Sequence, residues 1–488
     1  MDSLKTQGLK AVAWDFIGKL ARNGTGFIVT IVLARLLDPS AFGLVAMIMV
    51  IIGIAFIFSD VGLGSALIQR RHLRPIHYNS VFYFNIIMGI LLTVIILFSA
   101  PSIANFYHNE AITPLAQAIS FLFIINALSS VQNTRLRKRL EYATLAKANM
   151  GAAVLSGGVG IGLAFYGAGV WSLIAQALSR GIFYNIFIWR ASDWLPSLSF
   201  SLKALQQLWA FGFRMFLSGL LELIYTRLDI IIIGRLFSPA TLGFFDMAKR
   251  LNEMIVQYSS GSIMAVLFPL LSRVQNSLVR FQNIAIKTLG IISFILFFLL
   301  GLMYVIADDL IILLFTEKWE PSIIYFKIIL LSGFAYPLSA LLVNILSSRG
   351  NSKIFLRLEI YKKVIQTINL YVGFLYGIEG YLYGLIVVAF LSIALNIFYA
   401  SREISLPFTQ FLYPILMQML LAGISTLIVI QTAGILQYSA ILSIGVNGLL
   451  FTLLYLLTNW LLQTSSYRYF LDQILSLLKK RRNKGSPC

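Results

Sequence analysis

The chain has 488 residues, 59% of them apolar and 12% charged, with 38 Lys and Arg against 19 Asp and Glu for a net charge of +19. Soluble domains run at about 45–50% apolar and about 25% charged, so this composition excludes a soluble enzyme. The one cysteine, Cys488, excludes a disulfide framework or a Cys-based metal or redox site, and His72, His77 and His108 lack helical metal-ligand spacing.

A bilayer core of about 30 Å takes about 20 apolar residues per helix. Apolar blocks and their breakers predict spans over 10–34, 41–68, 79–104, 114–133, 147–166, 169–190, 206–234, 240–270, 281–307, 321–347, 354–376, 379–400, 409–431 and 438–462. Asp38-Pro39, Ser238-Pro239 and Glu320-Pro321 mark helix starts, where proline suits the first turn. The predicted fold class is an all-α integral membrane protein with about 14 transmembrane helices, because a strand edge in lipid would leave backbone groups unpaired. Met1 to Lys10 is not followed by a short apolar core and a small-residue cleavage site, so no cleaved leader is expected.

The connections divide Lys and Arg unevenly: 27 fall in one set of alternate compartments, and only Arg35, Arg235 and Lys318 in the other. The positive-inside rule then places both termini in the cytoplasm. Topology accounts for most of the basic excess, so no nucleic-acid partner is expected. Residues 467–484 read as a short amphipathic helix with a basic end, suited to a cytoplasmic lipid surface.

An internal repeat appears at an offset of 200 residues, matching Arg35 with Arg235, Leu36 with Leu236, Pro39 with Pro239, Gly43 with Gly243 and Met47 with Met247. A weaker echo sets Tyr166-Gly167 and Asn185 beside Tyr376-Gly377 and Asn396. Six helices separate the copies, an even number, so two parallel six-helix repeats point the same way across the membrane. The expected organisation is an N-terminal lobe (1–203), a C-terminal lobe (204–405), two further helices (406–464) and a basic tail (465–488). Parallel repeats of this kind build transporters that bind substrate near the midplane.

Charges inside the spans locate the candidate site. Helix one carries Asp15, Lys19 and Arg22; helix seven Arg214, Glu222, Arg227 and Asp229; helix eight Asp246, Lys249, Arg250 and Glu253; Asp60 and Lys327 are single additions. Each costs about 2.5 kcal/mol or more at bilayer depth, so they must face water or one another. One reading is structural ion pairs, such as Asp15 with Lys19 or Asp246 with Arg250. The other is an aqueous cavity in which Lys19, Arg22, Arg214, Arg227, Lys249, Arg250 and Lys327 hold an anionic headgroup, guanidinium forks suiting phosphate and carboxylate oxygens. Asp60, Glu222, Asp229, Asp246 and Glu253 would then bind a coupling proton or sodium ion. Tyr225 and Tyr258, beside the charges, are candidates for stacking on sugar rings. The run Gly157 to Gly162 sits inside an apolar helix and reads as close helix packing, not a phosphate loop. No resident cofactor or metal is expected.

Five stretches carry a family resemblance: Ser59-Asp-Val-Gly-Leu-Gly-Ser-Ala-Leu-Ile-Gln69, Arg135-Leu-Arg-Lys-Arg-Leu-Glu-Tyr142, Tyr166-Gly-Ala-Gly-Val-Trp-Ser-Leu-Ile-Ala-Gln176, Asp229 to Arg235 with Leu242 to Asp246, and Leu267-Phe-Pro-Leu-Leu-Ser-Arg273. Together they resemble the polysaccharide transporter family of the MOP superfamily, the Wzx-type lipid-linked oligosaccharide flippases, in its colanic-acid-like lipopolysaccharide biosynthesis branch. The resemblance implies MATE-like V-shaped lobes in a bacterial cytoplasmic membrane. It implies ion-coupled alternating access that carries undecaprenyl-pyrophosphate-linked oligosaccharide to the outer leaflet for O-antigen, capsule or exopolysaccharide assembly. Implied partners are that polyprenyl-pyrophosphate-linked glycan, membrane lipids and other polysaccharide-assembly proteins. The residue assignments above rest on charge and depth, not on the resemblance. Two rivals remain: a MATE-like multidrug or cation antiporter, which would want a net acidic cavity, and a glycan polymerase, for which the longest outward connection, about 307–321, is short.

Overall fold

The computed structural model describes residues 14, 18, 23–349, 351–433 and 439–484, and every regular element among them is helical. Lipid offers the backbone no hydrogen-bond partners, and a helix satisfies its own. In chain order the helices are α1 (Asn23–Leu36), α2 (Pro39–Asp60), α3 (Leu63–Gln69), α4 (Pro75–Tyr107), α5 (Ile112–Ser120), α6 (Leu122–Lys138), α7 (Tyr142–Phe165), α8 (Trp171–Ala191) and α9 (Leu202–Leu236). They continue with α10 (Pro239–Arg273), α11 (Leu278–Phe315), α12 (Pro321–Ser332), α13 (Ala335–Ser348), α14 (Ser352–Glu403), α15 (Phe408–Ala433), α16 (Ala440–Leu461) and α17 (Ser465–Lys484). Ten of these helical stretches are long and apolar enough to cross a membrane by length and composition alone. The chain is a multi-pass membrane protein.

The helices follow the sequence blocks with instructive exceptions. The block 41–68 is interrupted: α2 stops at Asp60, Val61 and Gly62 take left-handed backbone angles (φ 46° and 72°), and α3 follows. α5 with α6, and α12 with α13, make up the spans expected at 114–133 and 321–347. α14 has 52 residues, and Gly377 interrupts it with φ 77°. At about 1.5 Å per residue an unbroken rod would reach about 78 Å, more than twice the hydrocarbon thickness, so Gly377 divides it into two spans. Divided this way, the helices among the described residues follow the order of the fourteen apolar blocks, and ten stretches meet the length and apolarity of a crossing. The predicted start of the first span, at residue 10, lies outside the described residues.

The chain separates into two compact units, Met1–Gly243 and Phe244–Cys488. In the first, Leu63, Leu67, Val81, Phe82, Val131, Trp194, Leu205 and Leu208 form a buried cluster. The strand-free link after α8 is tied down by Asn79, whose Nδ2 donates to Ser197 Oγ (2.5 Å) and Ser199 Oγ (2.6 Å), and by Ser80 Oγ, which accepts from the Ser201 N–H (2.9 Å). The glycine run of α7 is a packing surface at two of its positions: a Cβ at Gly157 would meet Val29, and one at Gly160 would meet Gln176, while Gly158 and Gly162 face open space. The two copies of the repeat touch each other. A Cβ at Gly43 would overlap the Pro239 carbonyl, and a Cβ at Gly243 would overlap the Pro39 carbonyl.

In the second unit, α11 packs against α12, α13, α15, α16 and α17. Phe315 and Trp319 are fully buried near its end. A buried polar network joins the last helices to it. Tyr455 Oη reaches Gln418 Oε1 (2.6 Å) and the Phe294 carbonyl (3.0 Å), while Gln418 Nε2 donates to Asn459 Oδ1 (2.9 Å) and Thr464 Oγ1 (3.3 Å). A second tie is Ser443, whose hydroxyl donates to Asp309 (2.5 Å).

Candidate functional site

The charged residues picked out in the spans fall into three situations. Asp15, Lys19 and Arg22 lie outside the described residues, as do the side chains of Tyr225 and Tyr258. A second group is engaged. Arg250 Nε donates to Asp246 Oδ2 at 2.6 Å, the aspartate buried and the arginine half exposed. Lys327 Nζ meets Asp308 Oδ2 at 2.7 Å and stands 5.5 Å from the Tyr304 ring centre. Lys249 lies 5.8 Å from the centre of the Phe245 ring, and Asp229 Oδ1 accepts the Ile230 N–H at 2.9 Å. The third group is open: Arg214 and Glu222 are exposed on α9 and Arg227 is half buried there, whereas Glu253, exposed on α10, lies within electrostatic reach of Arg250. Arg214, Glu222 and Arg227 form no ion pair among the described residues.

Asp60 stands apart. It is the last residue of α2, where the helix breaks, and its carboxylate stays beside the break. Oδ2 accepts the Gly64 N–H at 2.9 Å, and Oδ1 accepts Asn85 Nδ2 at 3.1 Å. No basic side chain pairs with it among the described residues. The same Asn85 NH2 also donates to Ser130 Oγ at 2.9 Å, linking α4 to α6. Two glycines make the geometry possible. A Cβ at Gly62 would overlap the Gly212 carbonyl of α9, and a Cβ at Gly64 would sit 3.0 Å from Asp60 Oδ2 and 3.1 Å from Thr134 Oγ1.

Around Asp60 opens a cavity of about 320 Å³, lined among others by Ser59, Asn85, Ser130, Asn133, Thr134 and Arg137. Asn85 is 1% exposed, and its Oδ1 has no partner; Asn133 Oδ1 is likewise buried without one. A buried polar atom without a partner costs about 1–3 kcal/mol, so two orphaned oxygens lining one cavity call for an explanation. Sequence reasoning singled out Asp60 but not these neighbours. The available signal was polar residues inside apolar spans, Asn85 on α4 and the run Ser129-Ser130 with Asn133-Thr134 on α6, next to a glycine two residues past an in-membrane aspartate.

The chain shares its fold with solved structures of membrane proteins. It superposes on the lipid II flippase MurJ in an inward closed conformation with a TM-score of 0.72, at 14% identity, covering 94% of this chain and 99% of that one. An inward-facing multidrug resistance MATE family transporter of the MOP superfamily aligns with a TM-score of 0.61, at 16% identity, over 80% of this chain and 98% of that one. The family is then set by sequence: the chain belongs to the family described as polysaccharide biosynthesis protein, whose signature matches residues 32–324. Among its relatives, the teichuronic acid biosynthesis protein TuaB of Bacillus subtilis is 30% identical over 57% of this chain and 58% of its own length. The succinoglycan biosynthesis transport protein ExoT of Rhizobium meliloti is 22% identical over 98% of this chain and 97% of its own.

Proposed function

We propose that the protein moves a polyprenyl-pyrophosphate-linked oligosaccharide from the cytoplasmic to the outer leaflet of a bacterial cytoplasmic membrane, by ion-coupled alternating access, for surface polysaccharide assembly. The observation that carries this reading is the open charge on α9: Arg214, Glu222 and Arg227 stand near the middle of a 35-residue apolar helix without ion-pair partners among the described residues. Ionised groups at that depth need water or a polar ligand. The family and the transport function in ExoT's name make a glycan headgroup the fitting ligand. Lys19, Arg22, Arg214, Arg227, Lys249, Arg250 and Lys327 remain the candidates for its pyrophosphate and acidic sugars, and the polyprenyl tail would stay among membrane lipids. Asp60, Glu222, Asp229, Asp246 and Glu253 remain the candidates for the coupling ion; Asp246 already carries the Arg250 charge, so Asp60 is the strongest. The positive-inside count puts both termini, and the lobes' basic ends, in the cytoplasm.

The multidrug antiporter reading shares the fold with this one, and the base surplus on the spans favours an anion over a cationic drug. A polymerase role has no support in the connections after α11, where only a short turn precedes α12. The test is deletion of the gene with the downstream ligation steps intact. Lipid-linked glycan should accumulate facing the cytoplasm, and complementation by Arg214→Ala or Arg227→Ala chains that insert normally should be reduced about tenfold or more, the worth of a charge-assisted contact. Accumulation of unpolymerised repeat units on the outer face would refute flipping in favour of polymerisation.

A further inference from the structure

The cavity beside Asp60 carries an inference about the ion. The helix break turns the Gly64 N–H, which in an unbroken helix would bond the Asp60 main-chain carbonyl, onto the Asp60 carboxylate. Among the described residues the other donor to that carboxylate is a neutral amide, Asn85 Nδ2. The remaining cavity oxygens near it, on Ser59, Ser130, Asn133 and Thr134, are neutral too, and the oxygens of Asn85 and Asn133 are buried without partners. Arg137 lines the cavity as an exposed side chain and makes no bond to the carboxylate.

We propose that this is a sodium-binding site, with Asp60 as the charged ligand and Asn85 and Ser130 as the neutral ones. One negative charge among hydroxyl and amide oxygens suits a hard monovalent cation; a divalent ion would want more carboxylates. Interrupted transmembrane helices are where membrane transporters recurrently hold sodium. The Asn85 amide explains its own orphaned oxygen. Its NH2 now supplies the positive pole facing Asp60 Oδ1, and rotation about the last side-chain bond exchanges that NH2 for Oδ1, which then faces the ion. A space of about 320 Å³ is far larger than one ion and leaves room for part of its hydration shell. The inference deepens the ion-coupled reading above and rests on it for the role in transport; binding itself can be read without transport.

The experiment measures radiolabelled sodium bound to the purified full-length protein in lipid nanodiscs by scintillation proximity, at constant ionic strength with choline as the replacement cation. The expected result is saturable binding that potassium displaces poorly. Asp60→Asn should abolish it, and Asn85→Ala and Ser130→Ala should each raise the half-saturating concentration about tenfold while leaving full capacity. Because Asp60→Asn can still accept the Gly64 N–H, it is expected to fold, and a monodisperse elution profile checks that. No saturable binding by the wild-type chain, or binding that Asp60→Asn and Asn85→Ala leave unchanged, overturns the site. Flipping that responds to a proton gradient in a protein without sodium binding overturns the sodium assignment while transport stands. Sodium binding in a protein that moves no lipid-linked glycan supports the site and sinks the flippase reading instead.

Discussion

The two units each hold a buried polar cluster made of similar residues, and the clusters are finished to different degrees. In the second unit Gln418, Tyr455, Asn459 and Thr464 are buried, and each of their polar groups has a partner. In the first unit Asn85, Gln132 and Asn133 bring three orphaned oxygens and an orphaned amide nitrogen close along α4 and α6, beside a carboxylate with no counter-charge among the described residues. A closed network in a low-dielectric interior fixes helices in place, and a half-closed one is a liability unless something else completes it. The comparison separates two kinds of interior: α15 and α16 are fastened to α11 by satisfied polar groups, whereas α2, α4 and α6 enclose polar atoms left without partners among the described residues.

Substitutions can break or sharpen this contrast. The largest expected effect is at the helix break. Gly62→Ala puts a side chain on a left-handed residue and against the Gly212 carbonyl, at about 2–5 kcal/mol. Thermal unfolding in detergent should show a large loss, and a chain as stable as the wild type would mean that α9 does not hold the break in place. Next is Gln418→Leu, which strips a partner from Tyr455 and Asn459 and is expected to cost about 2–3 kcal/mol in the same assay. A neutral result there would remove the distinction between the clusters. The smallest is Gln132→Leu. This side chain is fully buried with neither its Nε2 nor its Oε1 bonded, so its apolar replacement should change stability by less than about 1 kcal/mol or raise it. A loss matching that at Gln418 would show that Gln132 is already satisfied.

The apolar blocks made the helices readable, because each crossing needs about 20 such residues and proline marks the starts. The break between α2 and α3 was not readable: Asp60-Val61-Gly62 sits in a continuous apolar block, and the left-handed turn depends on Gly212 arriving from α9. Asp60 was visible as a charge out of place. Its neighbours were not, since Asn85, Ser130 and Thr134 look like ordinary small polar residues until packing brings them together. The partner of Lys327 was missed for another reason. The predicted span ended at residue 307, whereas α11 continues through Asp308 and Asp309 to Phe315, and the acid that meets the lysine was read as part of a connection.

The contact between the two copies of the repeat has one more consequence. At Gly43 and Gly243 main chain lies directly on main chain, each glycine against the other copy's proline carbonyl. A methyl group on either glycine wedges the same crossing apart, so damage at one position already spends most of the harm that the second can do. Gly43→Ala combined with Gly243→Ala should therefore destabilise the protein by much less than the sum of the single changes, and the duplicated motif acts as one joint with two halves.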